Sequence, residues 1–256
     1  MTSSILVLTA GAVTTVTLNR PAKRNALNVE LLEQLCSAIK AAEAEAGQRI
    51  LILAGAGAVF SAGLDLSEAG DPTVAKHSAA LVSQTLLALA TSRLITIARV
   101  HGAAIAGGAG LMSACDFAVA TRDAKFGFPE VRRGLVPALI MTFLRRQLRE
   151  RDARELLLLA EPFDAVRAHA MGLLNRVTAD EAALDAEVQS LVNGLLQGAP
   201  EAVAETKRAL AQLWPSSVKA DLERALAGHL SARHSDEAKE GIAAFQEKRT
   251  PKWAPP

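Results

Sequence analysis

The chain has 256 residues, half of them apolar, and its 28 Lys and Arg side chains nearly balance 27 Asp and Glu. This length fits one large domain, or one domain with a small appendage, and leaves ample apolar material for a core. A net charge of +1 argues against a broad nucleic-acid surface and against a polybasic membrane anchor. Two cysteines are too few for a disulfide framework, which favours a reducing compartment.

The first residues, MTSSILVLTAG, lack the basic region and the long apolar stretch of a signal peptide. No apolar run reaches the roughly 18 residues that span a bilayer. These features predict a cytoplasmic protein with neither a nucleic-acid partner nor a membrane partner.

Strands and helices alternate in the first half of the chain. Asn28 is a candidate N-cap, because Leu32, Leu35 and Ile39 follow at helical spacing. The pattern predicts strands at 5–9, 13–19, 50–54, 94–100 and 116–121, helices at 28–46 and 77–92, and a mobile segment at 67–76.

From about residue 138 the pattern becomes almost entirely helical. Helices are predicted at 139–148, 152–159, 165–171, 182–196, 200–213, 220–230 and 235–246, with one short strand at 172–177. The chain therefore reads as an α/β fold of strand-turn-helix units with helices on the outside, followed by a helical C-terminal part.

Two glycine-rich turns, GAGAVFSAGLDL and HGAAIAGGAG, each connect a strand to a helix. Glycine lets a ligand approach the backbone closely, and the first N–H groups of a helix have no partner within the helix. Such N–H groups favour a negative oxygen. Glu130 lies on the FGFPE turn after the next strand, so the three turns predict an oxyanion site beside a carboxylate. The alternative is that Gly63 and Gly107 only form tight turns and that Glu130 pairs with Arg132 or Arg133.

Other candidate groups fit structural roles better. Asp65 is better placed to cap a helix than to react, and His101 keeps a modest functional interest because it precedes the second glycine turn. The five histidines show no metal-ligand spacing, so no metal site is predicted. The GGAG segment lacks the G-x-G-x-x-G pattern of a dinucleotide site.

Six segments together resemble the enoyl-CoA hydratase/isomerase family, the crotonases. They cover nearly the whole chain in the family's order: NRPAKRNALN, FSAGLDL, HGAAIAGGAGLMSACDFAVAT, FGFPEVRRGLVP, AxxMGLLNRV and SDEAKEGIAAFQEKR. The resemblance implies a crotonase-like spiral of ββα units and an acyl-CoA thioester as substrate. It also implies a core at 1–195, a helical trimerisation subdomain at 196–256 and a homo-oligomer, either trimer or hexamer. No cofactor is expected, because coenzyme A is part of the substrate.

The resemblance also assigns roles to individual positions. The N–H groups of Leu64 and Gly107 would hold the thioester oxygen, and Glu130 would be the acid/base. Lys23, Arg24 and Ala26 fall in the segment that meets coenzyme A, and Lys248 would reach a phosphate of its own or a neighbouring subunit. Ala62, Asp65 and Gly110 complete the predicted substrate-binding set.

Gly110 departs from the hydratase pattern, in which a first glutamate stands at this position and a second at that of Glu130. Two carboxylates can hold a water between them, whereas one carboxylate can still move a proton along the acyl chain. The sequence thus leaves several functions open. They are hydration, 3-enoyl to 2-enoyl isomerisation, a methylglutaconyl-CoA hydratase-like activity, and acyl-CoA binding by an inactive homologue. The segments 67–76 and 136–139 are expected to shape the acyl pocket.

Overall fold

A computed structural model describes residues 3–70 and 72–254. The elements, in chain order, are β1 (Ile5–Ala10), β2 (Val13–Leu18), α1 (Val29–Ala44), β3 (Ile50–Gly55), α2 (Pro72–Thr91), β4 (Ile95–Val100), β5 (Ala103–Ile105), α3 (Gly107–Ala114), β6 (Phe117–Thr121), β7 (Lys125–Gly127), α4 (Ala138–Gln147), α5 (Glu150–Leu159), β8 (Phe163–Asp164), α6 (Ala165–Ala170), β9 (Arg176–Thr178), α7 (Glu181–Gln197), α8 (Pro200–Gln212), α9 (Val218–Arg233) and α10 (Asp236–Gln246). Short 3₁₀ helices cover Pro21–Lys23, Leu66–Gly70 and Pro129–Arg133.

The main sheet has six strands in the order β1-β2-β3-β4-β6-β9. Only the β1–β2 pair is antiparallel. Residues of β2 alternate between buried and half-buried positions, whereas β4 is buried along almost its whole length. This difference follows from the sequence, because alternation marks a strand with one covered face and a continuous apolar run marks one covered on both faces.

A second, small sheet carries the segments that lead into the helices. Strand β5 pairs in parallel with β7, β7 pairs antiparallel with β8, and an isolated bridge joins Ser61 to Ala104. The chain therefore passes from β4 through β5 to α3, and from β6 through β7 to α4. Each passage is one strand of the main sheet, one short strand and one helix, which confirms the predicted α/β spiral of ββα units.

Two sequence predictions differ from the structure. Helix α2 begins at Pro72 rather than at 77, and Leu66–Gly70 forms a 3₁₀ helix where a mobile segment was expected. Strands β5, β7 and β8 were not predicted, because two or three residues are too few to show a period. Residues 1, 2, 71, 255 and 256 of the predicted segments lie outside the described residues.

The C-terminal helices pack against the ββα core. Helix α9 contacts α2 and α4, and α10 contacts the 3₁₀ helix Pro129–Arg133. An ion pair between Arg146 and the buried Asp221, 2.7 Å apart, ties α4 to α9. Leu222 belongs to the main hydrophobic cluster of the core. The assignment of 196–256 to trimerisation stays a prediction. Within residues 3–70 and 72–254, no helix combines the length and the apolar character needed to cross a bilayer.

Candidate active site

The two predicted oxyanion amides lie side by side. A Cβ atom built on Gly63 would be 3.2 Å from the amide nitrogen of Gly107, and one built on Gly107 would be 3.7 Å from that of Leu64. Gly107 is the first residue of α3, so its N–H has no acceptor within the helix. Neither N–H donates a hydrogen bond to any acceptor in the part of the chain that the structure describes. Both donors are therefore available to a ligand oxygen.

Backbone conformation holds these amides in place. Gly63 has a φ of +86°, and a Cβ there would lie only 2.7 Å from the carbonyl oxygen of Ile105. Ala106, directly before Gly107, also has a positive φ of 50°, which is unusual for a residue with a side chain. Its N–H donates to the carbonyl oxygen of Gly127 at 2.8 Å, which anchors the turn to β7. Strained backbone of this kind persists where the surrounding structure enforces it, and it clusters at ligand sites.

Glu130 has the electrostatic character of an acid/base group. It lies in the 3₁₀ helix Pro129–Arg133, and only 8% of its surface is exposed. Its Oε2 atom is buried and has no hydrogen-bond partner among the described residues. Burial raises the pKa of Glu130 from its ordinary value of 4.5 to about 7, although a backbone hydrogen bond and the charge of Arg133 act in the opposite direction. A carboxyl with this pKa exchanges protons readily at neutral pH.

The amides and the carboxylate line one small cavity of about 50 Å³. Its wall is mostly apolar and is formed by Leu64, Leu66, Ala79, Val82, Ala106, Gly107, Glu130, Arg133, Leu135, Val136, Pro137, Leu139, Ile140 and His229. The predicted segment 136–139 thus contributes to this wall. The segment 67–76 does not, although Leu66 and Ala79 on either side of it do.

A wider cleft of about 790 Å³ shares Leu64, Leu66 and Arg133 with the cavity. Its other lining residues come from the turn at 22–26, from residues near the first glycine turn, from β5 and from α10. Five predicted substrate-binding residues line it, namely Lys23, Arg24, Ala26, Ala62 and Asp65. The structure therefore brings these five residues into a cleft that adjoins the cavity with Glu130.

Asp65 is engaged in structural bonds. Its Oδ1 accepts hydrogen bonds from the N–H and the hydroxyl of Ser67, at 3.2 and 2.7 Å, which caps the 3₁₀ helix as predicted. Its Oδ2 lies 3.0 Å from Nη1 of Arg20. Burial alone would raise the pKa of Asp65, but the hydrogen bonds from Ser67 and Arg20 outweigh it and lower the pKa. Asp65 is thus an ionised group that fixes the wall of the cleft.

Two predicted binding residues lie elsewhere. A Cβ on Gly110 would point at Ile140 and Leu86, 3.1 and 3.8 Å away, so Gly110 faces the packing between helices rather than the cleft. Lys248 is exposed beyond the end of α10 and is absent from the walls of the cavity and the cleft. Their proposed contacts with substrate remain predictions.

His101 does not reach the cavity. It is buried, and its Nε2 lies 2.7 Å from the carbonyl oxygen of Gly57. Its ring therefore supports the first glycine turn. Across the described residues, no cluster of three or more His, Cys, Asp or Glu side chains could hold a metal ion.

Helices α9 and α10 of the same chain close the site. The guanidinium of Arg133 stacks on the Phe245 ring, 4.3 Å from its centroid, and Nε2 of Gln246 donates to the carbonyl oxygen of Leu66 at 3.0 Å. A Cβ on Gly241 would come within 2.2 Å of the carbonyl oxygen of Arg133, so only glycine lets α10 pack so closely on the turn that carries Glu130.

Sequence reasoning missed Arg133, Phe245, Gln246 and His229 as parts of the site. Their contacts join segments far apart in the chain, which periodicity does not reveal. His229 had one available signal, because Leu222 and Leu226 precede it at helical spacing and place it on the buried face of α9.

The chain is similar to known proteins over nearly its whole length. The family model for enoyl-CoA hydratase/isomerase matches residues 9–256. The 2,3-dehydroadipyl-CoA hydratase of Escherichia coli K12 is 33% identical, and the match covers 97% of this chain and 98% of the relative. An enoyl-CoA hydratase from Mycobacterium avium, known from a crystal structure, superposes with a TM-score of 0.87 at 34% identity over 99% of this chain and all of the other.

A second crystal structure gives the same result. The enoyl-CoA hydratase/isomerase of Xanthobacter autotrophicus Py2 has a TM-score of 0.87 at 33% identity, with 96% of this chain and 94% of the other covered. Both matches include the C-terminal helices that close the site. The chain belongs to the enoyl-CoA hydratase/isomerase family.

Proposed function

We propose that this acyl-CoA enzyme hydrates the double bond of a 2-enoyl-CoA, with Glu130 as its acid/base. One observation carries the proposal. A buried carboxyl with a pKa of about 7 and an unpaired oxygen lines the same cavity as two unpartnered backbone N–H groups. The amides of Leu64 and Gly107 would hold the thioester oxygen, on which negative charge develops during the reaction.

The steps of hydration follow from these positions. The Glu130 carboxylate takes a proton from a water molecule while the water oxygen bonds to C3 of the substrate. The electron pair of the C2=C3 bond moves towards the carbonyl, and the thioester oxygen becomes an enolate oxygen held by the two amides. Glu130 then returns the proton to C2, which restores the carbonyl and leaves a 3-hydroxyacyl-CoA.

Isomerisation is the second candidate, because Gly110 supplies no second carboxylate. In that reaction Glu130 removes a proton from C2 of a 3-enoyl-CoA, the same amides hold the enolate, and Glu130 delivers the proton to C4. A methylglutaconyl-CoA hydratase-like enzyme and an inactive acyl-CoA-binding homologue remain as further alternatives.

The cleft at 22–26 suits the coenzyme A part of the substrate. Lys23 and Arg24 are exposed at its edge, and the half-buried guanidinium of Arg133 lies at its junction with the cavity. Three cations offer favourable positions for phosphate groups, while the apolar cavity beyond Arg133 suits the acyl chain.

Turnover of two substrates in one preparation tests the assignment. We expect the protein to hydrate crotonyl-CoA, measured by loss of the conjugated thioester absorbance, at a higher rate than it isomerises 3-hexenoyl-CoA. The reverse order would favour the isomerase. Binding of both thioesters in calorimetry without turnover would indicate the inactive homologue, and absence of binding would contradict every acyl-CoA role.

We also propose that the protein assembles as a trimer or as a dimer of trimers. Large apolar side chains are exposed on several elements: Leu6, Val7 and Leu8 on β1, Leu158 and Leu159 on α5, and Leu210 and Leu213 at α8. Exposed apolar surface of this extent is typical of subunit interfaces. Light scattering at micromolar concentration is expected to give three or six times the mass of 26.9 kDa, and a monomer would contradict the assembly.

A further inference from the structure

His229 on α9 lines the cavity that holds Glu130, and Arg133 is the third polar side chain in the same wall. The residue is 8% exposed, and its Nδ1 atom lies 3.3 Å from the carbonyl oxygen of Val136. The position of α9 is fixed in part by the ion pair between Arg146 and the buried Asp221, which joins this helix to α4. Burial and the contact with Val136 therefore fix the position of the imidazole ring.

The hydrogen bond to Val136 determines what the other ring nitrogen can do. A carbonyl oxygen only accepts, so Nδ1 carries the proton of the neutral ring. Burial lowers the pKa of His229, with the charge of Arg233 acting in the same direction and the backbone bond acting against them. The neutral ring is thus favoured, and its Nε2 presents a lone pair that can accept a hydrogen bond.

Oε2 of Glu130 and Nε2 of His229 both lack a hydrogen-bond partner among the described residues. Among the described residues, three buried side-chain atoms make no hydrogen bond, and two of them, Oε2 of Glu130 and Nε2 of His229, belong to residues of this one cavity. Buried polar atoms are rarely left unpaired unless a ligand or a water completes them. A volume of about 50 Å³ exceeds the roughly 10–15 Å³ that a water molecule needs.

Gly110 stands where the hydratase pattern has its first glutamate, and among the described residues nearest to Gly110 no polar group takes the place of that carboxylate. The Cβ direction of Gly110 meets the buried side chains of Ile140 and Leu86, and Ile140 itself forms part of the cavity wall. Space beside Gly110 is therefore filled by hydrocarbon. Any group that orients a water opposite Glu130 has to come from another element.

We infer that Nε2 of His229 accepts a hydrogen bond from the water that adds to C3, and that His229 thereby replaces the glutamate missing at Gly110. This inference rests on the proposed hydration. One hydrogen of the water stays on the oxygen and points at Nε2, while the other passes to the Glu130 carboxylate as the oxygen bonds to C3. The proton on Glu130 then goes to C2, so His229 neither gains nor loses a proton.

Two variants separate the two ring nitrogens. His229→Asn keeps an N–H close to the position of Nδ1, and so the bond to Val136, but has no acceptor at the position of Nε2. His229→Gln extends further and offers an amide oxygen there. We expect His229→Asn to lower kcat for crotonyl-CoA hydration about 10- to 100-fold, the usual scale for a mispositioned reactant, with KM nearly unchanged. We expect His229→Gln to recover most of that loss.

Isomerisation provides an internal reference, because it consumes no water. In His229→Asn, the isomerisation rate of 3-hexenoyl-CoA should stay within about threefold of wild type, so that the ratio of hydration to isomerisation falls. His169→Asn is the matched control, since Nδ1 of His169 also pairs with a backbone carbonyl, that of Leu174 at 2.9 Å, but lies on α6 outside the cavity. It should change neither rate.

Several results would overturn the inference. Hydration by His229→Asn at the wild-type rate would do so, as would an equal loss of hydration and isomerisation in both His229 variants. Should His229→Asn fail to fold, His229→Leu, which suits the apolar wall, is judged by the same criteria. Normal hydration by His229→Asn would refute the role of His229 alone, whereas a wild-type protein that isomerises without hydrating, or that has neither activity, would refute the proposed hydration and the role of His229 with it.

Discussion

Glu130→Gln is expected to lower the turnover of the preferred enoyl-CoA by about two orders of magnitude or more, the usual scale for the loss of a general base. The glutamine amide has almost the same shape but cannot accept the proton that hydration or isomerisation requires. Binding should survive, because the amides of Leu64 and Gly107 and the cations of the cleft are unchanged. Steady-state kinetics and calorimetry with a saturated acyl-CoA measure the two quantities separately.

The pH dependence of the wild type gives a second test of the same group. Glu130 acts as a base only when it is ionised, so kcat/KM should rise with pH and level off above its pKa of about 7. The rise should be absent from the residual activity of Glu130→Gln. A wild-type profile that is flat between pH 5 and 9, or a variant that turns over at the full rate, would remove Glu130 from the mechanism.

The same substitution should stabilise the fold at alkaline pH. The pKa of Glu130 is raised from 4.5 to about 7, so its neutral form is favoured in the folded state. Its contribution to stability is complete below pH 4.5 and is lost as the pH rises through 7. At about 1.4 kcal/mol for each pH unit, ionisation costs the folded protein roughly 3 kcal/mol at pH 8. Glu130→Gln should therefore melt at a higher temperature than wild type at pH 8, with a difference that shrinks towards pH 4.5.

Gly63→Ala is expected to have the second largest effect, a loss of about 10²- to 10³-fold in kcat. The new Cβ would lie 2.7 Å from the carbonyl oxygen of Ile105 and 3.2 Å from the amide nitrogen of Gly107, so the two turns have to move apart. A thioester oxygen could then be held by one amide or the other, but not by both. Steady-state kinetics with crotonyl-CoA measure the effect.

Gly47→Ala is a matched control for backbone strain. Gly47 has a φ of +87°, nearly that of Gly63, but a Cβ there has no neighbour within 4 Å. Both variants pay the cost of a left-handed alanine, about 1–2 kcal/mol of stability, yet only Gly63→Ala should lose activity. If Gly63→Ala retained wild-type turnover, or if both variants lost it equally, the paired amides would not be the oxyanion site. Gly107→Ala gives a milder perturbation should Gly63→Ala prove insoluble.

The main sheet could be predicted from the sequence because most of its strands are long enough to display a pattern of apolar residues that indicates which faces are buried. β2 alternates and β3 is a continuous apolar run, and both patterns appear in the chain without knowledge of their partners. β5, β7 and β8 have three, three and two residues, and only their pairing in the second sheet makes them strands. The start of α2 was missed because its first turn, from Pro72, carries little apolar periodicity.

The candidate site was predicted in part. The glycine turns indicated exposed N–H groups through local chemistry, whereas the family resemblance singled out Leu64 and Gly107 before their proximity was known. The pKa of Glu130 could not be predicted, since it depends on burial by helices far along the chain. His229 follows Glu130 by about a hundred residues, and no local pattern reports that α9 returns to cover the carboxylate.

Because α9 and α10 lie near the C-terminal end of the sequence, they are synthesised after the turns that they cover. At roughly 5–20 residues per second, His229 is added to the growing chain about 5 to 20 s after Glu130. During that interval the glycine turns and Glu130 exist without the wall that excludes water. A nascent carboxylate in that state is an ordinary surface acid with a pKa near 4.5. On the ribosome, Glu130 therefore stays an ordinary carboxyl, and its pKa rises to about 7 only when α9 and α10 dock and bury it.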